Sequence, residues 1–212
     1  MNILHIDCSP RPESHSRQLS AAIVERILAL APDADITRRD LAITPVPHAP
    51  SDYATTLSTP ATLAAPVPGS LDLSELLIRE VEAADVVVIG TPMNNFTVPS
   101  VLKAWIDQVL RAGRTFKSTP NGKVGLLRDR PVLIGVASGL VFSGERASQP
   151  DFLTPYLSVV LETIGLKSVQ FIAVQATAFH DAAQAVSARE HALKSLKLGL
   201  IGERALLAIQ SY

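Results

Sequence analysis

Cys8-Ser9-Pro10-Arg11-Pro12-Glu13-Ser14-His15-Ser16 places three hydroxyls, an arginine and a histidine between an apolar opening segment and a helix-like pattern. A helix N-terminus carries unpaired N–H groups and a partial positive charge, so it receives phosphate well. Ser9, Ser14 and Ser16 would add hydroxyl donors, and Arg11 and His15 positive charge. The serines also have a plainer use, because Ser14 or Ser16 at a helix start serves as an N-cap. The loop has neither Gly-x-Gly-x-x-Gly nor Gly-x-x-x-x-Gly-Lys, which argues against a dinucleotide-type or P-loop site. A terminal phosphate dianion held from several sides suits it, with Glu13 turned to solvent.

Two further loops carry polar groups after apolar runs. Thr91-Pro92-Met93-Asn94-Asn95-Phe96 follows Asp85–Gly90, and the two asparagines offer donors and acceptors suited to the edge of a flat heterocycle. Core packing of Phe96 and gap filling by Met93 are the alternatives there. Ser138 and Gly139 follow Pro131–Ala137 and let a backbone approach a ligand closely, although an ordinary turn reads the same way. No His and carboxylate groups show metal-ligand spacing, and no Gly-x-Ser-x-Gly elbow is present. His48, His180 and His191 are scattered and expected on the surface. With so little acid–base machinery, an enzyme of this sequence needs a cofactor to carry the chemistry.

These loops must be positioned by alternating strands and helices. Strands are expected at Asn2–Asp7, Asp35–Arg39, Asp85–Gly90, Pro131–Ala137 and Val169–Val174. The helices between and after them are expected at Arg17–Ala31, Leu73–Ala83, Ser100–Ala112, Phe152–Ile164 and Asp181–Ala208. Thr115–Asp129 reads as a polar loop turning at Pro120-Asn121-Gly122. Leu41–Leu71, with six prolines, reads as an irregular Pro-rich insertion after the second strand, a lid, a partner-contacting arm or plain mobile surface. The pattern predicts one α/β domain over residues 1–212, a doubly wound five-stranded parallel sheet in the flavodoxin-like order 2-1-3-4-5. In that order the loops after strands one, three and four share one rim.

Bulk properties narrow the partners. A net charge of -1 and a pI near 6.5 give no electrostatic footprint for nucleic acid, and no apolar run is long enough to span a bilayer. One cysteine, Cys8, cannot form an internal disulfide; it reads as a small buried strand-end residue and fits a cytoplasmic setting. The start lacks a basic n-region and cleavage pattern, so no signal peptide is expected.

The chain resembles the FMN-dependent NADH azoreductases, also described as NADH:quinone oxidoreductases, of the flavodoxin-like superfamily. The resemblance rests on Ser9-Pro10-Arg11 with Ser14-His15-Ser16 and on Pro92-Met93-Asn94-Asn95-Phe96. Leu102–Asp107, Arg111–Phe116 and Leu153–Leu157 extend it. It implies that Ser9, Ser14, His15 and Ser16 hold the FMN phosphate. It places Met93, Asn94, Asn95 and Phe96 along the flavin ring, with Ser138 and Gly139 bordering it. Leu140-Val141 departs from the Gly-rich pattern frequent at that edge.

The expected function is two-electron transfer from NADH through FMN to quinones and azo compounds by a ping-pong route, without a side-chain nucleophile or a metal. Backbone N–H groups of the Met93–Phe96 loop would stabilise the electron-rich ring. An electron carrier or a flavin-binding sensor without turnover is the alternative. A homodimer is expected, motivated by Trp105 on the Val101–Ala112 helix and by Leu193, Leu196, Leu200 and Leu206 near the chain end.

Overall fold

The computed structural model describes residues 1–199 and 201. In chain order its first elements are β1 (Asn2–Asp7), α1 (His15–Leu28), β2 (Asp35–Asp40), α2 (Ser51–Leu57), α3 (Pro60–Ala64) and α4 (Asp72–Ala83). Next come β3 (Val86–Pro92), α5 (Ser100–Val109), β4 (Phe116–Thr119) and β5 (Gly122–Gly125). The last are β6 (Val132–Ala137), α6 (Thr154–Ile164), β7 (Val169–Val174) and α7 (Ala182–Leu193). Five strands form a parallel sheet in the order β2-β1-β3-β6-β7, which is the expected 2-1-3-4-5. The chain reverses its direction of travel across the sheet between β1 and β3, so the carboxyl ends of β1, β3 and β6 lie side by side.

The central strands β3 and β6 are apolar on both faces because helices cover both, while the edge strand β2 is polar. Side chains alternate, so one face of the sheet presents Ile3, Val86, Val88, Leu133, Ile172 and Val174 to α1 and α7. The other presents Leu4, Ile6, Val87, Ile89, Ile134 and Val136 to α4, α5 and α6. Burial of these two layers is the main driving force for the fold. No helix among the described residues is long and apolar enough to cross a membrane.

Several boundaries differ from the expected ones. Helix α1 begins at His15, capped by Ser14, and stops at Leu28 instead of Ala31, because Pro32 disfavours helical backbone just before it. Helix α5 ends at Val109 instead of Ala112: the Thr115 hydroxyl donates to the Val109 carbonyl at 2.8 Å and accepts the Arg111 N–H at 3.0 Å, turning the chain away. Within 115–129, expected to be a polar loop, β4 and β5 form an antiparallel hairpin. Its sequence shows no apolar alternation because most of the hairpin is exposed.

The 41–71 segment is not irregular throughout. Pro50 is the N-cap of α2 and Pro60 opens α3, positions where a missing N–H costs nothing. Tyr53 is buried and donates to the Asp107 carbonyl at 3.0 Å, which fastens the segment to α5. Helix α7 starts with an Asp181–Gln184 capping box and ends at Leu193, and residues 202–208 of the expected longer helix lie outside the described residues. Leu200 and Leu206 lie outside the described residues. Trp105 is buried in the chain's own core, 2% exposed, so it does not serve as an exposed dimer contact.

Helix α4 is clamped through Glu75 to the turn that follows α5. Its carboxylate accepts from Arg111 (2.6 Å), Arg114 (3.1 and 3.2 Å) and Arg79 (3.1 Å). Hydrogen bonding from Arg114, seconded by Arg111 and Arg79, outweighs desolvation and holds Glu75 at about 2, below the usual 4.5. A carboxylate depressed in this way stabilises the fold above its unfolded-state value and loses that stabilisation as pH falls through the folded value. Unfolding free energy should therefore decline between about pH 4.5 and 2, with Glu75 contributing a slope of up to about 1.4 kcal/mol per pH unit. In Glu75→Gln this part of the slope disappears; denaturation titrations across that range give the comparison, and identical slopes would remove Glu75 from this role.

Candidate functional site

Strand β1 carries a polar stripe on the face that α1 covers. Ile3, His5 and Asp7 share that face, so the residue type changes from apolar to charged toward the carboxyl end. Ser20 of α1 sits above it. Arg38 donates to His5 Nδ1 (3.2 Å), which leaves His5 Nε2 to donate to Ser20 Oγ (3.0 Å). Ser20 Oγ in turn donates to Asp7 Oδ1 (2.9 Å). Burial lowers the basicity of His5 more than Asp7 raises it, so the ring is neutral, as this directional chain requires. Gly90 on β3 is needed here: a Cβ there would stand 2.5 Å from Ser20 Oγ and 2.7 Å from Asp7 Oδ1.

The loop after β1 lies directly above this network. Cys8 N–H donates to the Gly90 carbonyl at 3.0 Å, continuing the sheet by one residue. Cys8 itself is fully buried, and burial pushes its thiol far up, so it is inert. Ser9, Ser14 and Ser16 are all buried. Ser14 is the α1 N-cap, accepting from Arg17 N–H at 3.3 Å, and its hydroxyl meets Ser16 Oγ at 3.3 Å. The cap is thus Ser14; the Ser9 hydroxyl accepts the Arg11 N–H at 3.3 Å and keeps its own proton to donate, and the Ser16 hydroxyl and the first helical N–H groups, of His15 and Ser16, lie at the same end of the loop. His15 is half-buried; desolvation first, then Arg11, His180 and Arg189, lowers its basicity. Glu13 is exposed.

The loop after β3 is backbone-strained. Met93 N–H donates to Ala137 O (2.8 Å), and Asn94 and Thr97 exchange N–H···O bonds of 2.9 and 3.0 Å. The N–H groups of Met93 and Asn94 are therefore already used, and only those of Asn95 and Phe96 lie outside this pairing. Asn95 and Phe96 have φ of 48° and 71°, the left-handed region that costs a bulky side chain energy. Phe96 is 45% exposed, so it is not a core residue. Its carbonyl accepts from Phe152 N–H at 3.0 Å. Behind the loop after β6, buried Ser138 Oγ accepts from Gln149 Nε2 (2.6 Å), and the Ser138 carbonyl accepts from Thr177 N–H (3.0 Å).

The three loops meet at a cavity of about 450 Å³, within the range of small-cofactor sites. Ser9, Ser14, His15, Ser16, Met93, Asn94 and Gly139 line it. Asn95 and Phe96 stand outside the lining on the exposed rim, and Ser138 lies beneath it, tied to Gln149. Pro10, Arg11, Pro92 and Ala137 also line the cavity, as do Thr177 and Ala178, which the sequence analysis did not select. Those two follow β7, whose carboxyl end shares the same rim; that position in the sheet was the available signal. The lining has one arginine and one histidine but no carboxylate. A larger cavity of about 850 Å³ lies between the Ser143–Arg146 stretch and α7 and shares no lining residue with it. Among the described residues no cluster of His, Cys, Asp and Glu could hold a metal ion. His180, expected on the surface, is half-buried.

Known proteins share this architecture. A family model described as Flavodoxin-like fold matches residues 1–197. An FMN-dependent NADH:quinone oxidoreductase of Pseudomonas fluorescens is 49% identical over 183 residues, covering 86% of this chain and 87% of its own. One from Burkholderia lata is 48% identical over 186 residues, 86% and 88% of the two chains. An FMN-dependent NADH-azoreductase of Bacillus anthracis, solved in complex with FMN, superposes with a TM-score of 0.76 over 98% of each chain at 24% identity. That likeness concerns the fold.

Phe96→Gly should change the unfolding free energy of the ligand-free chain by no more than about 1.5 kcal/mol, because glycine relieves the positive φ as it removes a half-exposed ring. Chemical denaturation checks this. A loss of about 3–5 kcal/mol, usual for a buried phenylalanine, would show that the ring is a packing element.

Proposed function

The chain belongs to the flavodoxin-like family of the FMN-dependent NADH:quinone oxidoreductases, and we propose that it binds FMN and transfers two electrons from NADH to quinones and aromatic azo compounds. The carrying observation is the carboxylate-free cavity at the N-terminus of α1, where buried serine hydroxyls converge with the loops after β3 and β6. The donor set fits the group: Ser9 and Ser16 hydroxyls, the N–H groups of His15 and Ser16, and Arg11 suit a phosphate dianion. Met93 and Asn94 supply a flat wall and amide for a ring, and Gly139 lets it come close. Bound FMN would supply hydride acceptance and donation, the chemistry no side chain here provides.

The protein's part is to bind, orient and select. The α1 terminus fixes the phosphate end, which sets where the ring lies along Pro92–Asn94. Any hydrogen bonds from the loop to the ring come from the Asn94 and Asn95 amides and the N–H groups of Asn95 and Phe96, since those of Met93 and Asn94 are engaged. Donor and acceptor share one open slot, which implies a ping-pong sequence with NADH leaving before the quinone or azo compound enters. In this reading residues 1–212 are one FMN-binding domain of a cytoplasmic enzyme, its location suggested by the lone cysteine. The working unit is a homodimer in which a second copy walls the slot. Exposed Phe96 and Phe152 support that contact, and Trp105 does not.

Heat-released cofactor should be FMN and not FAD, and the loaded protein should oxidise NADH with a small quinone, giving parallel double-reciprocal lines. FAD, no flavin after reconstitution, or absence of turnover would overturn the proposal; the last outcome would favour an electron carrier. Replacing Ser9 and Ser16 together with alanine should weaken FMN binding by about 3–6 kcal/mol, from two charge-assisted hydrogen bonds of about 1.5–3 kcal/mol each. Unchanged calorimetric affinity would reduce both to structural roles. For assembly, light scattering on dilute FMN-loaded protein should report a dimer, and a fully active monomer would exclude the shared slot.

A further inference from the structure

Arg17 is a cation beside a proposed anion site, yet it does not line the cavity. Its side chain runs back from the first turn of α1 beneath the loop. Nε donates to the Ser9 carbonyl at 2.8 Å. The two terminal nitrogens bind both oxygens of Asp40, at 2.6 and 2.8 Å, and one stands 3.6 Å from Asp7 Oδ2. Asp40 in turn accepts the N–H groups of Ala42 and Ile43, at 3.0 and 3.1 Å. One planar fork thus ties together the carboxyl ends of β1 and β2 and the first residue of the phosphate loop.

We propose that Arg17 is a positioning residue that selects for the phosphate of FMN: it fixes the Ser9 peptide so that the Ser9 hydroxyl faces the cavity, while its charge is consumed by Asp40 and Asp7. Resting on the FMN reading above, this assigns phosphate attraction to Arg11 and the α1 terminus, and aim to Arg17. Two properties of the site support the division. Arg17 holds its carbonyl and its bidentate carboxylate simultaneously, which only a fork can do. The Asp7–Cys8 peptide just before it is held by the Cys8 N–H to the Gly90 carbonyl, and the Ser9 hydroxyl accepts the Arg11 N–H at 3.3 Å, so Arg17 fixes the one carbonyl, that of Ser9, which these two bonds leave open.

A positioning role and a charge role predict opposite outcomes. If Arg17 acted through its field, Arg17→Lys would keep FMN affinity, and Asp40→Asn, which removes a negative charge near the phosphate, would tighten binding. Positioning predicts that Arg17→Lys and Arg17→Gln both weaken FMN by roughly 10- to 100-fold, the range of one hydrogen bond to a charged group. It also predicts that Asp40→Asn weakens FMN several-fold, because the anchored fork is lost. Riboflavin, lacking the phosphate, should bind parent and variants within about twofold.

The measurement is titration of flavin-free full-length chain with FMN and with riboflavin, followed by flavin fluorescence, with thermal unfolding of each variant in parallel. Equal losses for both flavins would make Arg17 a purely structural residue and overturn the inference. So would full FMN affinity in Arg17→Lys, or tighter FMN binding in Asp40→Asn. Should the Arg17 variants not fold, the sign of the Asp40→Asn effect decides. A parent chain that binds no FMN defeats the flavin reading itself, a different outcome from a parent that binds and variants that do not discriminate.

Discussion

Helix α1 must lie close against β1 and β3, and the rim of the sheet depends on that approach. Gly90 makes room for Ser20, and Ser20 in turn bonds the polar end of β1. A methyl group at Gly90 would press on a serine and a carboxylate at once, with interior packing too dense to absorb it. Because α1 is held there, its N-terminus opens over the carboxyl ends of the strands. The serine loop, the strained turn at Asn95–Phe96 and the Ser138 loop are consequences of where that helix starts.

Negative charge is handled by pairing beneath the cavity and by its exclusion from the lining. Asp7 and Asp40 lie close to the loop, and either one unpaired would repel an anion. Arg17 donates to Asp40 and so holds its carboxyl below the usual range, while the carboxylate raises the basicity of Arg17 in turn. His5 stays neutral through burial and so adds no charge to the stripe. The cavity is left with hydroxyls, two helix-terminal N–H groups, Arg11 and His15. That composition follows from buried charges being tolerated only when paired.

The strained loop shows the other side of the design. Asn95 and Phe96 adopt left-handed backbone, and Phe96 keeps its ring half in solvent, although the chain has abundant apolar surface to bury it. Such strain persists only where the surroundings over-determine it. Here the Asn94–Thr97 exchange and the Phe152–Phe96 hydrogen bond do so. The loop is thereby rigid without having spent its outermost donors.

The sequence alone determined the sheet, because alternation of apolar strands with amphipathic helices is local and strong. Four of the five strands lie where Val, Ile and Leu cluster, the edge strand β2 being the polar exception, and Ser9, Ser14 and Ser16 stood out through type and spacing before a helix. Local pattern failed where a residue's role depends on a distant partner. Pro50 and Pro60 looked like breakers but start helices; Thr115 ends α5 through a bond no periodicity encodes; the β4–β5 hairpin is too exposed to alternate. Trp105, expected at a dimer contact, packs in the core, and Phe96 keeps its ring outside it, because core membership depends on which face α5 turns inward and on the backbone at Asn95. Thr177 and Ala178 joined the cavity, and Ser138 dropped beneath it, for the same reason. Only the tertiary structure could decide that Arg17 reaches Ser9, Asp40 and Asp7, since those contacts join three segments that touch only after the sheet has formed.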